Sequence, residues 1–446
     1  MTILWWVRRD MRLRDNPVLE AATAAGAAVQ AIYVHAPEED APWEPGAASN
    51  WWLRESLKAL DQQLRQRGGQ LLVVQGRSDE QLCMAAQRLG CTKVYWNRLY
   101  EPHAIRRDKK VAAALQAAGL EAQAFPGHLL WEPHQVRKAD GSAYRVFTPF
   151  WKAAQALGPP APPRYSLTTV DWVAHTEAVT DWPLIAEFRD EPWHATLAAA
   201  WTPGEVAAQQ RLATLADAHL KDYAAARDIP SRDVTSRLSP HLHFGEVSPS
   251  RVWQATGHIR SSDGVKFHAE LGWREFAHHL LWHFPDSTEV NFNRRFDNYP
   301  WRQPDPDDPD WKAWAHGRTG IPIVDAGMRQ LWNSGWMHNR VRMLVGSLLT
   351  KNLNIHWQYG ARWFWDTLVD ADLASNTLGW QWVAGSGADA APFFRIFNPL
   401  TQAEKFDPSQ DYVRQWRAQS VRRQPIVDLK HSRAQALANY KAHCSG

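Results

Sequence analysis

The first ~130 residues alternate short apolar runs with helical stretches, and that alternation limits the fold more than any other feature. Thr2–Val7 is an apolar run, followed by Arg-rich turn residues and the helical stretch Pro17–Ala25. Ala28–Val34, Leu71–Gln75, Lys93–Trp96 and Glu121–Phe125 read as further strands, and Asn50–Arg65 has helical periodicity. Strands separated by helices are joined by crossovers, so the pattern predicts a doubly wound parallel α/β sheet over residues 1–130, Rossmann-like in plan. Neither GxGxxG nor a P-loop signature occurs, which removes the main support for those two phosphate-binding devices.

The pattern then changes. Pro159, Pro160, Pro162 and Pro163 make a stiff, helix-poor connector, and little is periodic before Thr202, so residues 131–203 read as a linker. From Gly204 onward helices with short polar turns are expected: Glu205–Ala225, Ser248–Gly257, Val265–Trp282, Trp311–His316, Val324–Asn333, His338–Asn352 and Arg362–Leu368. Residues 204–446 therefore form a larger, all-α domain. A chain of 446 residues with 45% hydrophobic content can support two or three cores.

Net charge is only +3, so nucleic acid is permitted as a partner through a local patch rather than through bulk charge. Three cysteines with no CxxC pair exclude a four-thiolate iron–sulfur cluster and argue against a zinc knuckle. Sparse cysteine fits a reducing cytoplasm. The start MTILWWVRRD does not read as a signal peptide, and no apolar run approaches membrane-spanning length. The expectation is a cytoplasmic monomer with no membrane and no metal. The outlier is tryptophan, with 26 residues. Most are expected in the core, but many in the C-terminal half stand beside Arg, His and Asn, where an indole can stack on a flat ring or carry an electron.

Three segments carry chemistry. Thr235-Ser236-Arg237-Leu238-Ser239-Pro240 places hydroxyls and amides at a helix entrance, which suits phosphate or simply caps a helix. In Gly335–Met343, Asn339, Arg342 and Met343 share one helical face at i, i+3 and i+4. An amide, a guanidinium and a thioether together suit a polar heterocycle on one side and an apolar base on the other; a surface helix is the plain alternative. Met328–Trp332 and Leu344–Leu349, which flank this face, read as buried. In Asp370–Asn376, two carboxylates at i, i+2 suit a bend where one pairs with an arginine and the other accepts from ribose or ring N–H groups. A metal site is the alternative there, but no His/Glu cluster at ligand spacing accompanies it.

With these residues in place, the run from Ser236 to Asp407 resembles the flavin-binding domain of the photolyase–cryptochrome family. The matching stretches are TSRLSPHLHFGEVSP, ELGWREF, GRTGIPIVDAGMRQL, GWMHNRVRM and DADLASNTLGWQWVAGSGADAAPFFRIFNP. RRDMRLRDNP, GAASNWWL, LLWEP and YRVFTPFW are similar to the family's N-terminal text. The likeness covers nearly the whole chain.

The resemblance implies FAD in the helical domain, with Tyr223, Thr235, Ser236, Arg237, Leu238 and Ser239 at its phosphates. It places Arg274, Trp336, Asn339, Arg342, Asp370, Asp372 and Asn376 around flavin and ribose. It implies light-driven electron transfer to a cyclobutane pyrimidine dimer flipped out of ultraviolet-damaged DNA. By motif match the dimer pocket holds Glu270, Trp273, Asn339, Met343 and Trp382. Trp380, Trp357 and Trp301 match the family's electron relay, and Arg342 and Arg395 are candidates for DNA phosphates.

Within the family, Asn339 and Met343 stand where (6-4) photolyases put histidines, so the chain resembles dimer photolyases of the bacterial class III or class I type. Photosensory signalling without repair is the alternative, although only about 40 residues follow the last flavin motif. Phe267 stands where many class I enzymes have tryptophan. Ala104 stands where class I folate sites use an acid, leaving methenyltetrahydrofolate in another mode, deazaflavin or no antenna open. His35, Asn50 and Trp51 are candidates for lining an antenna pocket.

Overall fold

The computed structural model describes residues 1–158, 170–174, 185–216, 220–390, 394–417 and 424–444; the proline connector falls outside them. Five parallel strands are ordered β3-β2-β1-β4-β5: β1 Thr2–Val7, β2 Ala28–His35, β3 Leu71–Gln75, β4 Lys93–Asn97 and β5 Glu121–Phe125. Helices cover both faces of a doubly wound sheet, so β1 to β4 are mainly buried and apolar, whereas the edge strand β5 is largely uncovered. Alternate side chains feed two cores. Ile3, Trp5 and Val7 join Trp51, Trp52 and Leu57 on one face, while Leu4, Trp6 and Ile32 join Leu82 and Val111 on the other. A sixth strand, β6 Asp171–Trp172, pairs with β2. Two residues are too short to leave a periodic signal.

The region read as a linker is more ordered than its composition suggests. Phe147–Ala156 and His194–Ala200 are helices, and Glu275 in the helical domain accepts the amides of Leu130 at 2.8 Å and Trp131 at 3.3 Å.

The helical domain is built around Ser262–His283, Pro322–Ser334, Asn339–Ser347, Trp357–Thr367 and Leu373–Ala384. Side chains of Ser261, His338, His356 and Asp372 cap four of these helices by accepting from their first-turn amides. Two helices differ from expectation. Glu205–Ala225 is not continuous: a helix covers Glu205–Thr214, and Tyr223–Ala226 starts afresh after Asp222, whose φ of 65° no α-helix tolerates. His338–Asn352 is α-helical only over Asn339–Ser347 and relaxes into a π turn over Leu348–Asn352. Trp332, expected to be buried, is 63% exposed, because Met328 and Leu331 take the inward face of their helix.

The domains meet through buried polar contacts. Glu246, wholly inaccessible, accepts from Trp52 Nε1 of the N-terminal domain at 3.0 Å and from Gly204 N at 2.7 Å, and contacts His241 Nδ1. Gly245 has φ +67°, and a Cβ there would fall 2.1 Å from Arg9 O, so the approach of this loop to the end of β1 requires glycine.

Candidate functional site

The bend 370–372 organises the site. Asp370 accepts from Arg342 Nη2 through both oxygens, at 3.0 and 2.9 Å, and from Ser239 Oγ at 2.7 Å. This links the hydroxyl-rich turn to the guanidinium expected near it. Arg342 also donates through Nε to Met337 O at 2.8 Å. Its guanidinium is thus committed to Asp370 and Met337, with a quarter of the side chain still exposed. In the turn, Arg237 has φ +49°, a strained backbone for arginine, and its guanidinium lies over the Trp336 ring at 5.1 Å. Ser236 Oγ accepts from Leu238 N at 3.3 Å, and Leu238 is buried in the core. Thr235 is half-buried beside them. Tyr223 is buried edge-on to Phe267 at 5.5 Å, so the phenyl ring packs without needing an indole N–H.

Asp372 takes a different environment. Its Oδ1 accepts from Ser375 N at 2.8 Å as a helix N-cap. Its Oδ2 lies 3.3 Å from His243 Nδ1 and 3.6 Å from His278 Nε2. His128 packs edge-on to His278 at 5.3 Å, and Arg274 donates to His128 Nε2 at 3.0 Å. Burial lowers all three imidazoles below their ordinary range, His128 furthest, with Arg274 and His278 adding to the effect. His128, His243 and His278 were not singled out from sequence; they come from three separate segments, and no spacing marks them. One atom each of His128, His278 and Asp372 lies within 4.8 Å of the others, a spacing a cation could use. The Arg274 guanidinium occupies one of those lone pairs and repels a dication, so none of the three is assigned as a metal ligand.

Asn376 donates to Ala361 O at 3.0 Å, one turn into the helix that Asp372 caps. Trp380, on that helix, is buried edge-on to Phe364 at 4.9 Å and Trp314 at 6.2 Å. Gly360 makes room for it, because a Cβ there would fall 2.1 Å from the Trp380 ring. Trp357 and Trp301 flank His356, with ring centroids 5.6 and 4.9 Å from it.

A second group of residues forms a line of contacts between two helices. Glu270, on Ser262–His283, is ion-paired with Arg227 and lies 3.7 Å from Lys266 Nζ. The next residue, Asp228, accepts from Arg340 Nη2 at 2.6 Å, and Arg340 Nη1 lies 3.9 Å from Met343 Sδ. Asn339, exposed, opens the same helix. Trp273, one turn beyond Glu270, stacks on Phe147 at 3.8 Å and 7°. Half-buried Trp382 has the Arg395 guanidinium 5.7 Å above its ring. Arg227 and Arg340 were missed from sequence, where an arginine beside an aspartate carries no special signal.

A separate pocket opens at the carboxyl ends of β1, β2 and β4, where a doubly wound sheet leaves a crevice. Trp6, Tyr33, Trp43 and Phe244 line it together with Arg8, Arg9 and Arg107. The arginines are held in place: Arg8 by Asp108 at 2.6 Å, Arg9 by Glu101 at 2.6 Å and Arg107 by Asp40 at 3.1 Å. His35 lines this pocket. Trp51 instead belongs to the core, and Asn50 donates to Pro45 O at 3.1 Å in its own helix entry.

A parallel α/β domain is joined to a helical domain in which a bend bearing two carboxylates adjoins a hydroxyl-rich turn, and this pairing defines the class of the protein by its two-domain plan. Residues 3–166 match the family model described as DNA photolyase, and 267–422 match the FAD binding domain of DNA photolyase. A deoxyribodipyrimidine photo-lyase of Agrobacterium fabrum is 46% identical over 421 residues, covering 93% of this chain and 86% of that protein. Cryptochrome-1 of Arabidopsis thaliana is 38% identical over 427 residues, covering 92% of this chain and 62% of that protein. A bacterial class III photolyase structure from Agrobacterium tumefaciens superposes with a TM-score of 0.93 at 41% identity, covering 100% of this chain and 98% of the other. The chain belongs to the photolyase–cryptochrome family.

The residues present fit FAD. Hydroxyls of Thr235, Ser236 and Ser239 are gathered in one turn, the Arg342–Asp370 pair adjoins Ser239, and His278 Nε2 is a buried polar atom without a hydrogen-bond partner.

Proposed function

We propose that the protein repairs cyclobutane pyrimidine dimers in ultraviolet-damaged DNA, using light and FAD. The observation that carries the reading is the line Glu270–Arg227–Asp228–Arg340–Met343. It joins the helix bearing Glu270 and Trp273 to the helix bearing Asn339 and Met343, supporting one shared pocket for a flipped-out lesion. Bound in its reduced form, the flavin supplies the electron that opens the cyclobutane ring when light is absorbed.

The protein's residues do the rest. Tyr223 and the turn Thr235–Ser239 hold the phosphates. Arg342 holds Asp370 in place, and Asn376 presents an amide to the ring. Trp273 and Trp382 stack on the pyrimidines, their broad faces excluding water. Glu270 exchanges its partner Arg227 for base-edge hydrogens, and Arg227, Arg340 and Arg395 meet phosphates flanking the lesion. Asn339 and Met343 offer no acid, which favours the cyclobutane lesion over one requiring proton transfer. Trp380, Trp357 and Trp301 pass electrons inward. The pocket at the sheet's carboxyl end accepts a planar second chromophore between its indole and phenol rings, with methenyltetrahydrofolate and deazaflavin as the candidate classes.

Photoreduced protein should restore a thymine-dimer oligonucleotide under blue light, and a Glu270→Ala variant should do so more slowly. Failure of the parent protein would overturn the proposal. The 38% identity to a plant cryptochrome supports the second reading, photosensory signalling. That reading requires the lesion to stay unrepaired under light, which the same assay detects.

A further inference from the structure

His278 faces Asp372 across a gap of 3.6 Å, with its proton on the opposite ring nitrogen. His278 Nδ1 lies 3.0 Å from Arg274 O, and a carbonyl can only accept, so the single proton of a neutral ring sits on Nδ1. Nε2 is then a bare lone pair. It is buried without a hydrogen-bond partner and stands 3.6 Å from Asp372 Oδ2. A lone pair directed at a carboxylate oxygen leaves Nε2 unsatisfied, and His278 is fully inaccessible, so bulk water does not relieve the conflict.

Other charges around the pair do not resolve it. On the same helix, Arg274 is committed to His128 at 3.0 Å and Glu275 at 3.2 Å. From the N-terminal domain, Arg9 and Glu101 pair with each other at 2.6 Å. From the loop after β5, His128 presents its ring edge. From the short helix Ser239–His243, His243 Nδ1 approaches Asp372 at 3.3 Å. Burial opposes ionisation of Asp372, and a charged His278 is the leading influence that would hold the carboxyl low, yet burial keeps His278 itself uncharged. The pair is one proton short of mutual satisfaction.

We propose that His278 and Asp372 form a proton-holding pair that takes up one proton at His278 Nε2 when the neighbouring flavin site gains negative charge. The inference rests on the FAD reading given above. Conversion of oxidised flavin to the anionic reduced form consumes two electrons and one proton, the latter at flavin N5. The pair consumes one further proton from solvent, forming a single new N–H bond and turning imidazole–carboxylate into imidazolium–carboxylate. The electrons come from an external low-potential reductant, supplied in the titration below by the electrode through a one-electron mediator, and no other bond changes. His278 thereby acts as a positioning residue that offsets buried charge, a role distinct from touching the substrate.

Holoprotein with bound FAD is titrated spectroelectrochemically between about pH 6 and 9, where an imidazole can change charge. The wild type should show two protons per two electrons, and His278→Gln one per two electrons, a twofold shallower dependence of potential on pH. The proposal is overturned if the wild type already takes up only one, or if the variant keeps the wild-type slope. Should His278→Gln lose its flavin, 15N-histidine NMR of the wild-type holoprotein decides: Nε2 of His278 should pass from bare to protonated on reduction, and an unchanged signal refutes the pair. A protein purified without flavin absorption bands would instead refute the proposed function, so the two failures are distinguishable.

Discussion

Asp370 and Asp372 stand two residues apart and are neutralised in opposite ways. On one side of the bend a guanidinium that never loses its charge grips Asp370 through both oxygens, with a serine hydroxyl as a third donor. On the other side Asp372 has an amide cap and two imidazoles whose charge depends on their surroundings. The first carboxylate is a fixed strut. The second has an adjustable counter-charge. The difference teaches that burial alone does not define such a site; the titration range of the partner does.

Removing the fixed partner should be the severest test. Arg342→Ala strands Asp370, whose side chain is only 4% exposed, and should cost about 3–5 kcal/mol with loss of flavin. Denaturant unfolding and the ratio of flavin to protein absorbance measure both.

Next comes pH. Burial, against opposition from Arg274 and two backbone amides, pushes Glu275 up to about 7. Its folded value lies above its unfolded one, so its contribution is fully present at low pH. That contribution is lost as pH rises from the ordinary carboxylate range through about 7, by up to about 3 kcal/mol. Glu275→Gln should remove this loss, and its unfolding free energy should exceed that of the wild type above neutrality. A parallel pH dependence in both proteins would refute the assignment.

On the adjustable side, Asp372→Asn keeps a capping side chain and should cost only about 1–2 kcal/mol at neutral pH. Because the folded Asp372 is depressed, its contribution exists above the ordinary carboxylate range and fades as acid protonates it, so variant and wild type should converge on acidification. Equal losses for Arg342→Ala and Asp372→Asn would erase the contrast drawn between them. The smallest effect is expected far from the bend. His35→Gln in the sheet-end pocket should weaken any near-ultraviolet or violet band of a second chromophore while leaving repair driven by direct flavin absorption unchanged.

Much of this was legible in sequence. The five main strands were read to within a residue because most of them are buried, mainly apolar runs bounded by polar or glycine residues. The pairing of one carboxylate of the bend with an arginine was also readable, since Arg342 and Asp370 belong to long motifs. The helix Leu373–Ala384 was not named, because Ser375, Asn376, Thr377 and Gln381 interrupt the apolar period. The histidine cage was invisible for a different reason: positions 128, 243 and 278 converge only after two domains pack. Trp332 misled because its neighbours Met328 and Leu331 are apolar, and a helix turns one residue in that run outward.

Glu246 has a consequence for the history and handling of the molecule. A carboxylate sealed between Trp52 of one domain and Gly204 and His241 of the other has no stable existence in either half alone. Such a seam resists modular exchange: recombination that replaced only one domain would inherit half a hydrogen-bond set. It also favours split-protein complementation, in which fragments divided within the connector would reassemble around this shared carboxylate when made together and stay apart when it is changed to alanine.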